Sequence, residues 1–185
     1  MDYNLYMEKY NVEKEYKMML SDKQFNLIVN DLKFDKVNIQ INHYYTCPNH
    51  MGMRVRELDG QYIFTLKRFI NNEVREYEWV VEDLSLNDKR IQNLFKELKI
   101  DSYRYLGELK TTRYLKYYAL GELCLDLNEY LGLTDYELEY ELKDAKHDDF
   151  DNLVEILNHY DIEFKTNKIT KYKRFNLRLE ELKCE

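Results

Sequence analysis

The sequence predicts an α+β fold in which about eight antiparallel strands form one sheet and four amphipathic helices cover its apolar side. Three observations support this prediction. Strand-like segments follow one another closely, four other segments repeat apolar residues at helical spacing, and the second face of the strands is almost entirely charged. An open sheet would leave that charged face flat in water, whereas eight strands are enough to close a barrel around it. We therefore expect a closed eight-stranded antiparallel β-barrel with the helices packed outside.

The strands are predicted from the alternation of side chains and from the turns between segments. They cover residues 12–20, 37–46, 51–58, 61–69, 73–82, 102–118, 122–128 and 135–143. The turns between them include Asp59-Gly60, Asn71-Asn72 and Leu131-Gly132, and the only proline lies in the break at 47–49. Asp59-Gly60 is the strongest hairpin signal, because both of its turn positions need positive φ.

The helices are predicted from apolar residues that recur at positions i, i+3, i+4 and i+7. The first follows Ser21, which forms a capping box with Gln24 and so satisfies free N–H groups of the first turn. The others cover about 87–99, 148–159 and the tail from Lys171. Their apolar stripes are Phe25, Ile28, Val29 and Leu32; Ile91, Leu94, Phe95 and Leu98; Phe150, Leu153, Val154 and Leu157; and Phe175, Leu179 and Leu182.

Length and composition indicate one domain, residues 1–185, with 44% hydrophobic residues to build a core. The net charge of −7 argues against a nucleic-acid or anionic-membrane partner, which would need a basic face. No apolar run approaches the roughly 20 residues that span a bilayer. Three cysteines without Cys-x-x-Cys spacing favour free thiols. We expect a cytoplasmic monomer or homodimer.

The charged strand face contains both acids and bases. Its members are Glu13, Glu15, Lys17, Arg54, Arg56, Lys67, Arg113, Asp126, Glu137, Glu139 and Glu141. Burying an unpaired charge costs several kcal/mol, so a barrel interior of this kind must be wet, internally paired or filled by a ligand. Cationic side chains suit phosphate oxygens, and paired carboxylates suit Mg²⁺ or Mn²⁺. A metal-bound polyphosphate is the simplest occupant that matches both.

The same residues lie in motifs that resemble the CYTH superfamily, the triphosphate tunnel metalloenzymes, and in particular its small stand-alone members from Gram-positive bacteria. The matching motifs are Glu13-Lys-Glu15-Tyr-Lys17, Met53-Arg54-Val-Arg56, Thr65-Leu66-Lys67, Thr112-Arg113, Glu122-Leu-Cys-Leu-Asp126, Tyr136-Glu137-Leu-Glu139-Tyr-Glu141 and Thr170-Lys171-Tyr-x-Arg174-Phe175. A lone Glu-x-Glu-x-Lys is a weak signal, but these motifs occur in order along nearly the whole chain.

The resemblance implies a closed eight-stranded tunnel and a role for each matching residue. The implied metal ligands are Glu13, Glu15, Asp126, Glu137 and Glu139, with Mg²⁺ or Mn²⁺ as the cofactor. The implied phosphate ligands are Lys17, Arg54, Arg56, Lys67, Arg113 and Lys171, with Lys168 as an alternative to Lys171. Lys17, Glu15 and Glu137 are the implied catalytic residues, and Lys17 would also help to orient the attacking water. Arg174 is open between phosphate contact and surface, and Glu141 between metal ligand and salt-bridge partner.

Three functions and one purely structural interpretation remain open. The leading hypothesis is metal-dependent hydrolysis of inorganic triphosphate, a nucleoside triphosphate or thiamine triphosphate. The alternatives are a class IV-type adenylyl cyclase that makes cyclic AMP from ATP and a non-catalytic module that binds polyphosphate or nucleotide. An exposed, salt-bridged sheet with no ligand would need all the ordered motifs to coincide. Tyr44-Tyr45-Thr46-Cys47 replaces the Tyr-Phe-Asp-Thr common in relatives, which bears on the choice of substrate.

Overall fold

The computed structural model describes residues 14–46, 52–70, 73–144 and 146–184. Its elements in chain order are β1 (Glu15–Leu20), α1 (Asp22–Asp31), β2 (Lys36–Thr46), β3 (Gly52–Leu58), β4 (Gln61–Ile70), β5 (Glu73–Val81), α2 (Lys89–Leu98), β6 (Arg104–Tyr117), β7 (Gly121–Tyr130), β8 (Leu133–Leu142), α3 (Phe150–His159) and α4 (Lys171–Glu181). The predicted break at 47–49 and the Asn71-Asn72 turn lie outside the described residues.

The strands form one eight-stranded sheet in the order β1-β8-β7-β6-β2-β3-β4-β5. The predicted α+β class is confirmed, and the described part of the chain contains eight strands in an antiparallel sheet and four helices. Among the described residues this order ends at β1 and at β5, so closure of the sheet into a barrel is not shown. None of the helices in the described part of the chain is long and apolar enough to cross a membrane.

By internal packing the chain divides into two compact units. Among the described residues, unit 1 contains Ile41–Glu108, and unit 2 contains residues 14–40 and 109–184. Each unit has an apolar cluster of its own. That residues 1–185 form a single domain stays a prediction.

The core of unit 2 joins the apolar face of β1, β7 and β8 to helices α1 and α3. Its buried members include Met18, Leu20, Phe25, Ile28, Leu123, Leu125, Leu138, Tyr140, Leu153 and Leu157. The strand residues in this set are alternate positions, so the residues between them point to the opposite face of the sheet. The capping box of α1 is present as predicted, with Ser21 and Gln24 each bonding the other's backbone N–H.

The core of unit 1 joins β3, β4 and β5 to α2. Its buried members include Met53, Val55, Phe64, Leu66, Tyr77, Ile91, Leu94 and Phe95. The predicted hairpin joins β3 to β4, and its turn residues Asp59 and Gly60 have φ values of 51° and 76°. The register pairs Arg54 with Thr65 and Gly52 with Lys67, so these residues lie on the face opposite the core.

Strand β2 reverses the usual relation between hydrophobicity and burial. Its amides Asn38, Gln40 and Asn42 are buried, whereas Val37 and Ile39 are 52% and 58% exposed. The alternation predicted the strand, but the polar side of the strand is the buried one. The buried face of β2 is therefore polar.

Candidate functional site

Strand register brings the predicted acids of unit 2 together. Asp126 of β7 lies directly opposite Glu137 of β8, and Arg113 of β6 lies directly opposite Asp126. One step along the sheet, Lys17 of β1 lies opposite Glu139 of β8. Because opposed Cβ atoms in an antiparallel pair are about 5 Å apart, these pairings place the charged groups within reach of one another.

Three of these carboxylates form a buried cluster, which we call the acidic triad: Asp126, Glu137 and Glu139. The exposed fractions of the three residues are 0%, 0% and 5%, and they offer oxygens that lie within 4.8 Å of one another. Each buried carboxylate would cost several kcal/mol if it had no partner. The stability of the fold therefore depends on cations that contact the triad.

Lys171, the first residue of α4, contacts all three members of the triad. Its Nζ lies 3.0 Å from Asp126 Oδ2, 2.5 Å from Glu137 Oε2 and 2.7 Å from Glu139 Oε1. The side chain of Thr170 caps the helix by accepting from the backbone N–H of Lys173. Lys168, the alternative that the sequence left open, is exposed. The structure therefore places Lys171, and not Lys168, in the cluster.

Arg113 and Lys17 supply two more cations. The Arg113 guanidinium bonds both oxygens of Asp126, with Nε–Oδ1 at 2.8 Å and Nη2–Oδ2 at 2.7 Å, and also bonds Glu139. Lys17 Nζ lies 2.7 Å from Glu15 and 3.3 Å from Glu139. The two-pronged contact fixes Arg113 more firmly than the single ammonium contacts fix Lys17.

The mutual pairing shifts the ionisation of the cluster. Burial alone would raise the pKa of Glu139, but Lys171, Arg113 and Lys17 lower it well below the ordinary glutamate value. Burial alone would lower the pKa of Lys171, yet Glu139, Asp126 and Glu137 raise it above the ordinary lysine value. Glu139 is therefore ionised, and Lys171 is protonated, throughout the physiological range.

Arg174, one helical turn after Lys171, holds the other side of the triad. Its Nε lies 2.8 Å from Asp135 Oδ2, and its two terminal nitrogens each lie 3.0 Å from an oxygen of Glu137. Asn167 also donates to Glu137, at 3.2 Å. Arg174 is therefore not a surface residue, and its contacts fix the orientation of the Glu137 carboxylate.

Sequence reasoning missed Asp135 and Asn167, together with a polar row formed by Asn128 and Thr111. Thr111 donates to Asn128 at 2.7 Å, and Asn128 donates to Asp135 at 2.9 Å. The signal that could have found Asp135 is its position two residues before Glu137, which puts both on one strand face. Asn167 lies in the segment before α4, where no periodic pattern applies.

Unit 1 contains the remaining predicted phosphate ligands on the face opposite its core. Arg56 Nε donates to Asn42 Oδ1 at 3.2 Å, and Lys67 Nζ lies 3.1 Å from Glu76. Arg54 Nε is buried and has no hydrogen-bond partner among the described residues. A buried guanidinium N–H in this state is a donor available to an anion.

Comparison with known proteins shows the family of this chain. The family model of the CYTH domain matches residues 11–173. The chain belongs to the CYTH domain family. The predicted resemblance is thereby confirmed, and the structure brings seven of its predicted site residues together in unit 2: Glu15, Lys17, Arg113, Asp126, Glu137, Glu139 and Lys171. Arg54, Arg56 and Lys67 lie in unit 1, and Glu13 lies outside the described residues.

Individual CYTH relatives are similar over most of this chain. YjbK of Bacillus subtilis, whose name proposes a triphosphatase, is 30% identical over 149 residues, which cover 72% of this chain and 78% of YjbK. A Bacillus halodurans protein proposed as an adenylate cyclase has a TM-score of 0.72 and 26% identity, covering 88% of this chain and 96% of its own. HpAC1 of Hippeastrum has a TM-score of 0.71 at 20% identity, covering 89% and 95%, and so shows the shared fold.

The donor set of this CYTH chain fits a hard divalent cation. The acidic triad offers three carboxylate oxygens, and a second group of Glu15, Glu139 and Glu141 shares Glu139 with it. Oxygen ligands of this type suit Mg²⁺ and Mn²⁺. A third group, Glu122, Cys124 and Glu141, includes a thiol whose pKa is raised by burial, so that it remains protonated and is a poor ligand.

Proposed function

We propose that this protein hydrolyses a triphosphate in a reaction that depends on Mg²⁺ or Mn²⁺. The observation that supports the proposal most strongly is the buried acidic triad surrounded by Lys17, Arg113 and Lys171. An arrangement of this kind provides oxygens for a metal and cations for phosphate on one strand face. The name of the relative YjbK, a proposed triphosphatase, agrees with this chemistry. The substrate class comprises inorganic triphosphate, nucleoside triphosphates and thiamine triphosphate.

We further propose that the eight-stranded sheet closes into a tunnel around its charged face. An open sheet would leave the whole charged face flat in water, whereas a closed sheet would surround a bound metal and phosphate with that face. A closed wall of strands would exclude bulk water and strengthen every contact between a phosphate and the cations. Membership of the CYTH family supports this proposal.

Six cationic side chains act on the phosphates in the proposed mechanism: Lys17, Arg54, Arg56, Lys67, Arg113 and Lys171. Guanidinium groups bind two phosphate oxygens at once, and lysines act as mobile point charges. These groups offset the charge that spreads over the phosphoryl oxygens as the terminal bond breaks. Arg54 is the group with a buried donor already available.

The carboxylates bind the metal and position the reacting groups. Asp126, Glu137 and Glu139 are the proposed metal ligands, with Glu15 and Glu13 as further ligands from the first strand. The divalent ion, when bound, neutralises phosphate charge and lowers the pKa of a coordinated water. Lys17, held at 2.7 Å by Glu15, orients the water that attacks the terminal phosphorus. The products are inorganic phosphate and the shortened phosphate chain.

Two alternative functions use the same ligands and differ in product. In a cyclase, the ribose 3′-OH of ATP attacks the α-phosphate and yields cyclic AMP and diphosphate. In a binding module no product forms, and the ligand only stabilises the fold. The Bacillus halodurans neighbour proposed as an adenylate cyclase makes the first alternative worth an assay of its own.

The experiment measures phosphate released from tripolyphosphate, ATP and thiamine triphosphate with Mg²⁺ or Mn²⁺, and cyclic AMP formed from ATP. We expect phosphate release that falls at least about a hundredfold in Glu15→Ala and Lys17→Ala. Lys110→Ala and Glu129→Ala are matched controls, because this pair is a cross-strand ion pair of 3.1 Å that is about half exposed. Unchanged activity in Glu15→Ala and Lys17→Ala would contradict the mechanism, and cyclic AMP as the main product would replace it with the cyclase.

We propose that the protein is cytoplasmic and is a monomer or homodimer. Cys124 and Cys184 are free thiols in the structure, which agrees with a reducing compartment.

A further inference from the structure

The Lys171 ammonium occupies the position that a divalent cation would take in the acidic triad. It has one contact to each of the three carboxylates, at 2.5 to 3.0 Å. Those carboxylates are the same group whose oxygens lie close enough to hold a metal ion. The same carboxylate oxygens can therefore bind either the Lys171 ammonium or a divalent ion, but there is no room for both at the centre of the triad.

Electrostatic repulsion leads to the same conclusion. Lys17 and Arg113 also contact carboxylates outside the triad, Glu15 and Glu141, whereas the described ion-pair contacts of the Lys171 ammonium all fall on the triad. A divalent ion bound by the same oxygens would lie beside that ammonium, and two positive charges at so short a distance in a buried site repel each other strongly. The ammonium and the metal ion are therefore expected to exclude each other.

Lys171 is the cation best suited to leave. Arg113 and Arg174 each hold a carboxylate through two nitrogens, and that planar geometry is rigid. Lys171 has a flexible four-carbon stem and binds as a point charge. It also lies in the first turn of α4, where the helix dipole disfavours a cation. Moving its ammonium therefore breaks no two-pronged contact and relieves an unfavourable interaction with the helix.

We propose that Lys171 is an exchangeable counter-ion, which neutralises the acidic triad in the metal-free protein and is displaced by the incoming divalent ion. This inference rests on the proposed function, because the released ammonium then binds the phosphate that accompanies the metal. Lys171 thereby lowers the affinity of the site for a metal ion alone and favours the joint binding of metal and triphosphate. Its role as a phosphate ligand begins only after the exchange.

The test measures Mn²⁺ binding without any phosphate, using the electron paramagnetic resonance signal of free Mn²⁺. Lys171→Gln removes the charge but keeps N–H donors for the carboxylates. We expect it to bind Mn²⁺ about tenfold more tightly than the wild type, a change of about 1.4 kcal/mol in binding free energy. Lys168→Gln, an exposed lysine three residues earlier, is the control and should bind as the wild type does. Equal or weaker Mn²⁺ binding by Lys171→Gln would overturn the proposal.

A second measurement needs no variant and remains decisive if Lys171→Gln does not fold. Wild-type protein is acetylated with and without saturating Mn²⁺, and the modification of each lysine is counted by mass spectrometry. We expect Lys171 to be protected without metal and to react several-fold faster with Mn²⁺, while Lys168 reacts equally in both. Unchanged protection of Lys171 in the presence of bound Mn²⁺ would refute the exchange.

These readouts separate the exchange from the proposed function. Triphosphate hydrolysis with no difference in Mn²⁺ binding between wild type and Lys171→Gln would reject the exchange and leave the function standing. A tenfold difference in Mn²⁺ binding with no hydrolysis of any triphosphate would support the exchange and reject the function.

Discussion

The charged faces of the two units differ in how completely their cations are paired. In unit 2, Lys171 and Arg113 each contact three carboxylates, and the exposed fraction of either side chain is below 15%. In unit 1, Lys67 contacts the acid Glu76 and is 40% exposed, whereas the Arg54 Nε has no partner among the described residues. Unit 2 thus contains an acidic cluster whose carboxylates are paired with cations, and unit 1 offers cationic groups with fewer acids around them.

This difference suggests a division of roles. A buried acidic cluster that is paired with a mobile ammonium can accept another cation in its place, which suits a metal site. Cationic groups with few acidic partners need a ligand anion to satisfy them, which suits phosphate. We therefore expect changes in unit 2 to affect metal binding and catalysis, and changes in unit 1 to affect mainly the affinity for phosphate.

The largest effect is expected for Glu137→Gln in unit 2. It removes the charge of a carboxylate that Arg174 and Lys171 both contact, and with it a proposed metal ligand. We expect kcat for triphosphate hydrolysis to fall about a thousandfold. Glu129→Gln, at an exposed position on the neighbouring strand β7, is the control and should retain activity. Full activity of Glu137→Gln in a steady-state phosphate assay would remove the triad from the mechanism.

A smaller effect, on KM and not on kcat, is expected for Arg54→Gln in unit 1. Loss of a charge-assisted bond to phosphate costs about 1.5–3 kcal/mol, which corresponds to a tenfold to hundredfold rise in KM. Arg68→Gln on the neighbouring strand β4 is the control, because Arg68 follows Lys67 directly in that strand and so lies on the other face. A fall in kcat with no rise in KM would show that the units do not divide the roles in this way.

The paired cluster also predicts a dependence of stability on acid. The pKa of Glu139 in the folded protein is below its ordinary value of 4.5. A group of this kind adds stability above its unfolded pKa and loses it as the pH falls through the folded pKa. We expect the free energy of unfolding, from urea titrations, to decrease below about pH 4.5, and to decrease less steeply in Glu139→Gln.

Glu155→Gln on the exposed face of α3 is the control for that experiment and should follow the wild-type curve. Parallel pH curves for the wild type and Glu139→Gln would mean that the cations do not stabilise the ionised Glu139 carboxylate.

The smallest effect is expected for Ser21→Ala, which removes the cap of α1 in unit 2. Its side chain accepts from the backbone N–H of Gln24, and the loss of such a cap costs about 1 kcal/mol. We expect the midpoint temperature of thermal unfolding, Tm, to fall, with kcat and KM unchanged. A kinetic effect from this variant would show that loss of stability alone alters the site, and would weaken the interpretation of the larger effects.

Local chemistry makes much of the fold predictable. In β8, Tyr136, Leu138 and Tyr140 alternate with Glu137 and Glu139, so the alternation alone assigns the two faces of the strand. The turn lies at Leu131-Gly132, where the sequence predicts it, and its φ values are 48° and 73°. Strand faces and turn positions are set by residues that are adjacent in the sequence, so a sequence pattern can predict them.

Features that depend on distant parts of the chain could not be predicted. Nothing in the alternation of β2 reveals that Asn38 is buried and Val37 is exposed. The choice between Lys168 and Lys171 is set by how α4 docks against β8, which the helix pattern does not contain. The contacts of Arg174 with Asp135 and Glu137 span 39 and 37 residues. Partners separated in this way are chosen by packing and not by spacing.

The decisive experiment on the proposed metal and phosphate site is a crystal structure with bound Mn²⁺ and tripolyphosphate. We expect an anomalous Mn²⁺ peak within coordination distance of Glu137 and Glu139, with phosphate oxygens contacting Arg113. We also expect the Lys171 ammonium to have moved from the triad onto phosphate. Mn²⁺ and tripolyphosphate bound away from these carboxylates, with Lys171 still at the centre of the triad, would contradict the proposed site.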